Sequence, residues 1–138
     1  MKLSVKSHYA ARAVLGLARH PATSPVKVEE LAAVQGVPPN YLVQILLELK
    51  SQGLVRSARG KEGGYQLARS PAEITLGQVI RAVHGSVFDS PALLDAEGPP
   101  ELRRAWQKLQ RTLDDAADAI TFQQLLEEGS EKDKMYYI

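Results

Sequence analysis

The chain has 138 residues, a formal net charge of +1, 44% hydrophobic and 24% charged residues, the balance of a globular domain with its own core. It contains no cysteine, which excludes disulfides, thiol redox chemistry and thiolate-held zinc or iron–sulfur centres. No apolar run approaches the ~18 residues of a membrane span, and the Met1–His8 start lacks the apolar stretch of a signal peptide, so a cytoplasmic protein is expected.

The first predicted helix covers Ser7 to Arg19, with Ser7 as its cap and Ala10, Ala13, Val14 and Leu17 as its inner stripe. Pro21 stops it, and the Pro/Thr/Ser stretch to Pro25 reads as a loop. A second helix spans Val28 to Gln35, with Glu29 and Glu30 in the first turn, where negative charge is favoured, and Leu31 and Ala32 buried. Gly36 ends it, and Pro38 and Pro39 open a third helix that Gly53 ends. Leu42, Ile45, Leu46 and Leu49 form the inner face of that third helix, at i, i+3, i+4 and i+7. The short Gly36-Val37-Pro38 turn between the two helices is what a helix-turn-helix requires.

A basic, glycine-rich hairpin follows: Leu54–Ala58, a turn over Arg59–Gly64, then Tyr65–Ala68. The turn lacks the Gly-Lys-Ser/Thr ending of a nucleotide-binding loop and does not lead into a helix. Thr75 caps a fourth helix with inner positions Leu76, Val79, Ile80 and Val83, closed by His84-Gly85-Ser86. Residues 87–100 read as irregular. A long helix begins near Glu101, with apolar residues at Leu102, Trp106, Leu109, Leu113, Ala116 and Ile120. The alternating steps of four and three are the rhythm of a coiled-coil seam, so these residues are expected at a dimer interface. Thr121 caps a short last helix carrying Phe122, Leu125 and Leu126. The charged tail Glu127–Lys134 is expected to be mobile, and the closing Met135–Ile138 is unusually apolar for a loose end.

The fold class that emerges is mainly α with a small β-hairpin wing: a winged helix-turn-helix over 1–88, an irregular loop over 89–100, and a dimerisation helix with its tail over 101–138. Charge supports that division. Residues 1–70 carry a balance of +6 and residues 71–138 one of −5, so contact with a polyanion falls to the first half and protein contacts or regulation to the second.

Candidate DNA contacts follow from chemistry. Asn40 and Gln44 on helix three pair bidentately with adenine, and Tyr41 bonds phosphate. Val43 lies on the same side and suits a thymine methyl, whereas Leu47 fits the core. In the wing, Arg59 suits a minor groove, and Gly60, Gly63 and Gly64 let the backbone approach phosphate. Lys2, Lys6, Arg56, Lys61 and Tyr65 complete the set. His8, His20 and His84 are spread too widely for a shared metal, so no cofactor is expected. No nucleophile–base pair or carboxylate dyad with supporting context is present, so no catalytic site is expected either.

Lys-Leu-Ser-Val-Lys-Ser-His-Tyr-Ala at the start, Asn-Tyr-Leu-x-Gln-Ile-Leu-x-x-Leu in helix three, and Gly-Leu-Val-x-Ser-x-Arg-Gly-x-x-Gly-Gly-Tyr-x-Leu in the wing together resemble an Rrf2-type transcriptional regulator, as does Ile-Thr-Leu-Gly-x-Val-Ile-Arg-Ala-Val of helix four. The resemblance runs from residue 1 to about 88 and resumes with the long helix and Ile120-Thr121-Phe122-x-x-Leu125. It implies a homodimer whose long helices cross at the interface, with Tyr41, Gln44, Arg59 and the wing glycines on DNA. Many such proteins hold an iron–sulfur cluster through three cysteines in the segment that corresponds to Asp89–Glu101. That segment has none here, so the resemblance is to cluster-free members, controlled by a protein partner, a small molecule or expression level. The leading expectation is a repressor binding double-stranded DNA at a pseudo-palindromic operator. The alternative is a regulatory adaptor acting mainly through a protein partner on its acidic half.

Overall fold

In the computed structural model, which describes residues 2–21, 23–61 and 63–136, six α-helices and one antiparallel hairpin follow one another in chain order. They are α1 (Val5–Ala18), α2 (Val28–Gln35), α3 (Pro39–Ser51), β1 (Val55–Ala58), β2 (Gly64–Leu67), α4 (Leu76–His84), α5 (Pro100–Ala119) and α6 (Phe122–Tyr136). Short 3-10 turns at Pro71–Glu73 and Pro91–Leu94 punctuate the connections.

The helix-turn-helix is built as the sequence dictates. Gly36 closes α2 at φ 65°, a left-handed conformation in which a side chain is strained. Pro39 occupies the first turn of α3, where its missing N–H costs nothing. Leu42, Ile45, Leu46 and Leu49 are all fully buried. Each contributes ~1.5–3 kcal/mol on leaving water, far more than intrinsic helix propensity separates one residue from another. Their neighbours in the core are Ala10, Ala13, Val14 and Leu17 of α1, Leu31 and Ala32 of α2, and Val79 and Val83 of α4.

The hairpin pairs Val55 with Leu67, Arg56 with Gln66, Ser57 with Tyr65 and Ala58 with Gly64. It is tied down by a further bridge, in which the Tyr65 N–H donates to the Val26 carbonyl and the Val26 N–H to the Tyr65 carbonyl, both at 2.8 Å. A Cβ on Gly64 would overlap the Val26 carbonyl, so this close approach of two backbones requires glycine.

Several expectations are corrected. The cap of α1 is Ser4, not Ser7: the Ser4 Oγ accepts the Ser7 N–H at 3.0 Å, and the helix starts at Val5. Ser7 itself is buried inside the first turn, with its hydroxyl 2.8 Å from that of Ser4. Leu47 is not in the core but 52% exposed, because it lies nearly opposite Ile45, Leu46 and Leu49 on the helix circumference. The segment Glu127–Lys134 is not a loose tail: α6 runs on to Tyr136. Its start is fixed by a reciprocal cap, the Gln124 N–H donating to the Thr121 Oγ1 at 3.1 Å and the Thr121 N–H to the Gln124 Oε1 at 3.2 Å. Tyr137 and Ile138, from the apolar ending noted in the sequence, lie outside the described residues.

The α5–α6 junction is clamped to the start of α4. The Leu76 N–H donates to the Ile120 carbonyl and the Phe122 N–H to the Ile74 carbonyl, both at 3.0 Å. Ile74 and Phe122, fully buried, plug the core at this point. Further along, Arg81 of α4 reaches Asp114 at 3.4 Å and Asp118 of α5. Gly77 makes room for that contact, since a Cβ there would strike the Asp118 carboxylate. In contrast to every preceding helix, α5 has no buried residue: Leu102, Leu109 and Ile120 are exposed, and Trp106 and Leu113 only half-buried.

Candidate nucleic-acid interface

The outward face of α3 is the product of the same periodicity that buries its inner face. With the four apolar anchors turned inward, Asn40, Val43, Gln44, Leu47 and Ser51 are left exposed on the opposite side. Tyr41 stands at one flank. It is half-buried, and its ring packs edge-on against Tyr9 of α1 with centroids 5.8 Å apart and planes at 78°. This is a favourable aromatic geometry that holds the ring in place. On the same flank the Lys6 Nζ donates to the Glu48 Oε1 at 2.7 Å, tying α1 to α3. Lys6 is therefore paired with Glu48 at a partly exposed position, whereas Lys2 is exposed.

At the other flank the Lys50 Nζ donates to the Ser57 Oγ at 3.0 Å, fixing the base of the wing beside α3. Arg56, Arg59, Gly60 and Lys61 are exposed along β1 and the turn. Gly63, Gly64 and Tyr65 are half-buried, and their backbones serve the fold. The Gly63 N–H donates to the Gly60 carbonyl at 2.9 Å and the Tyr65 N–H to Val26. The reach of the wing outward therefore comes from the side chains of Arg59 and Lys61 and the open backbone at Gly60.

The structure thus brings Asn40, Gln44, Arg56, Arg59 and Lys61 onto the exposed surface of one helix-and-hairpin unit. Sequence reasoning missed Glu48 as the partner of Lys6, and the Arg81–Asp114–Asp118 cluster, because partners that lie more than thirty residues apart leave no local pattern. A signal did exist at Gly77, since glycine inside a helical pattern often marks a close approach.

The segment 89–100 closes on itself. The Ser90 Oγ accepts the Ala92 N–H, and the Asp95 Oδ1 accepts the Glu97 N–H at 3.0 Å. A cleft of about 90 Å³ lies between this segment and α5, bordered by Ala92, Pro99, Leu102 and Trp106. Among the described residues no group of three or more His, Asp or Glu side chains is placed to hold a metal ion. No described helix is long and apolar enough to cross a membrane.

A two-helix unit with a short turn, backed by a third helix and flanked by a basic hairpin, is a winged helix-turn-helix. Residues 3–128 match the family model Rrf2, described as an iron-dependent transcriptional regulator, and the chain belongs to the Rrf2 family. It is similar to an HTH-type transcriptional regulator of Mycobacterium tuberculosis, 48% identical over 85 residues, which are 62% of this chain and 53% of that protein; the chain thus matches about half of that relative's length. It is also similar over 100% of both chains, at 31% identity, to CymR of Bacillus subtilis. The structure of that global cysteine regulator superposes with a TM-score of 0.82 over 93% of this chain and 98% of the other, at 28% identity. The structure of T. potens IscR superposes with a TM-score of 0.81 over 99% and 97% of the two chains, at 33% identity.

The iron of the family description does not fit a thiolate-held cluster here. The 138 residues offer no thiol, and the donors in 89–101 are the hard oxygens of Asp89, Ser90, Asp95, Glu97 and Glu101.

Proposed function

We propose that the chain is one subunit of a cytoplasmic, homodimeric transcription regulator that binds double-stranded DNA sequence-specifically, acting as a repressor at a pseudo-palindromic operator. The observation that carries this reading is the outward face of α3. It presents Asn40 and Gln44, two side chains able to bond an adenine edge bidentately, on a helix locked from behind by four fully buried residues. The basic wing stands beside it, fixed by the Lys50–Ser57 bond. In this account Asn40 and Gln44 read bases. Arg59, Lys61, Arg56 and Lys2 hold phosphates, with Arg59 at the minor groove. Gly60 brings the backbone of the turn close, and Tyr41, braced by Tyr9, bonds a phosphate at the groove edge.

Residues 1–88 form the DNA-binding part, and α5 supplies the dimer seam through Leu102, Trp106, Leu109, Leu113, Ala116 and Ile120. The apolar residues of that seam are only partly covered among the described residues: Leu102 is 46% and Leu109 41% exposed, and Trp106 and Leu113 are half-buried. A second copy of the same helix would cover them. Control would come from a protein partner, a small molecule or protein level rather than from a cluster, and the chain would not be an enzyme.

Selection of duplexes from a random pool by the intact protein, followed by sequencing, tests the reading. The expected outcome is enrichment of an inverted repeat whose half-site centres lie one helical turn, ~34 Å, or a multiple apart. Light scattering on the enriched duplex should then give two protomers per site. A pool that gains no common sequence would contradict sequence-specific binding and favour the adaptor reading.

A further inference from the structure

Leu47 is more than half exposed at the centre of the α3 face that carries Asn40 and Gln44. At 3.6 residues per turn, Leu47 lies within about 20° of Asn40 around the helix axis, and Val43 about 40° to its other side, one turn back. Val43 is also exposed, at 38%. The flanks of this face are polar: Lys6 and Glu48 pair on one side, Lys50 and Ser57 on the other. A lone exposed leucine is ordinary on a protein surface. Two branched aliphatic side chains one turn apart, framed by amide side chains and lysines, form a small apolar strip inside a hydrogen-bonding and cationic surround. The surround excludes an apolar protein face as its complement, because docking one would leave Asn40 and Gln44 buried without partners. The complement that matches both parts is a major-groove wall: acceptors and donors of base edges beside the C5-methyl groups of thymine, within a polyanion.

We propose that Val43 and Leu47 form an apolar reader that selects two thymine methyl groups in each half of the bound duplex. The proposal rests on the DNA-binding reading above and specifies what that site recognises. Four residues of helix advance about 6 Å, close to two base-pair steps at roughly 3.4 Å each. The two thymines therefore lie about two base pairs apart. The adenine edges read by Asn40 and Gln44 neighbour them, giving an A/T-rich half-site core. Cytosine in place of either thymine offers a donor where the apolar strip has no acceptor, so discrimination there arises from a lost contact and an unpaired polar group together.

The test uses the intact protein and the duplex it enriches from a random pool. Each thymine of the half-site is replaced in turn by deoxyuridine, which removes only the methyl group. Affinity should fall about fourfold at each of two positions when one half-site is changed, the equivalent of ~0.8 kcal/mol for one methyl kept in water. With both half-sites changed it should fall about fifteenfold. Leu47→Ala should bind the thymine duplex more weakly and lose the response at one of the two positions while keeping it at the other. Val43→Ala should show the converse. Both residues are exposed, so both variants should keep the thermal midpoint of the parent.

Specific binding that is indifferent to deoxyuridine at every thymine would overturn the proposal and leave the DNA-binding reading intact. So would Leu47→Ala weakening thymine and deoxyuridine duplexes alike. A Leu47→Ala variant whose oligomeric state changes without DNA would assign the strip to a protein contact instead. Failure to enrich any sequence would remove the DNA-binding reading and this proposal with it.

Discussion

Helices α3 and α5 each carry a regular apolar stripe, yet they reach opposite ends. The thirteen residues of α3 turn four aliphatic side chains into a core shared with α1, α2 and α4, and none of those four is accessible. The twenty residues of α5 leave their stripe without one fully buried residue, Trp106 and Leu113 being half-covered and Leu102 and Leu109 exposed. A helix with a narrow stripe at 3.5-residue spacing gains little on a curved globular core and fits a second, similar helix instead. The contrast teaches that satisfied and unsatisfied amphipathicity are different statements. The first explains why the winged unit holds its shape, and the second is the observation on which the proposed dimer seam rests.

The same substitution placed on each helix should expose that difference most strongly. Leu46→Ala, at a fully buried site, should cost about 2–5 kcal/mol in chemical denaturation, with a loss that does not depend on protein concentration. Leu109→Asp, at a 41% exposed site, should leave the midpoint of dilute protein nearly unchanged while breaking self-association. Burying one leucine per subunit contributes ~1.5–3 kcal/mol, so the dimer constant should weaken by two or more orders of magnitude in sedimentation equilibrium. Equal losses from both variants, independent of concentration, would mean that the Leu109 face of α5 serves its own subunit and not a second one.

A smaller effect is expected at the join between the two regions. Arg81→Ala removes the ion pairs to Asp114 and Asp118 and so loosens α5 from α4. Both acidic partners are at least a third exposed, so screening limits the loss to about 1 kcal/mol or less. Hydrogen exchange should show it as faster exchange confined to the facing parts of α4 and α5. The Ile74–Phe122 and Leu76–Ile120 bonds hold the junction itself. The smallest effect on stability belongs to Arg59→Ala at the exposed wing tip, within ~0.5 kcal/mol of the parent. Its effect should appear in binding alone, as a salt slope reduced by about 1 per subunit, or about 2 for the dimer, on any duplex.

Much of this architecture was legible in the chain. The four anchors of α3, the left-handed stop at Gly36, the proline start at Pro39 and the Thr75 cap each depend on residues within two turns of one another, and local spacing reveals them. Ser4 was overlooked because two serines three residues apart offer the same capping chemistry, and burial decides between them. Leu47 looks like a fifth anchor because it is an aliphatic residue beside four buried ones, although its angular position is outward. The fastening of Tyr65 to Val26, of Lys6 to Glu48 and of Arg81 to α5 came only with the fold, since each contact joins segments distant in sequence. The helical continuation of α6 beyond Glu127 was hidden by a charged composition that helix and coil share.

The proposed function requires that the outward face of α3 and the wing read DNA. Fluorescence anisotropy of the intact protein on a labelled enriched duplex and on a scrambled duplex of equal composition, across a salt series, tests it most directly. The account predicts tighter binding to the enriched duplex by a factor of roughly 10³ or more, and a steep loss of affinity with salt on both as counterions are taken up again by phosphate. Weak binding that is equal on the two duplexes at every salt concentration would contradict it.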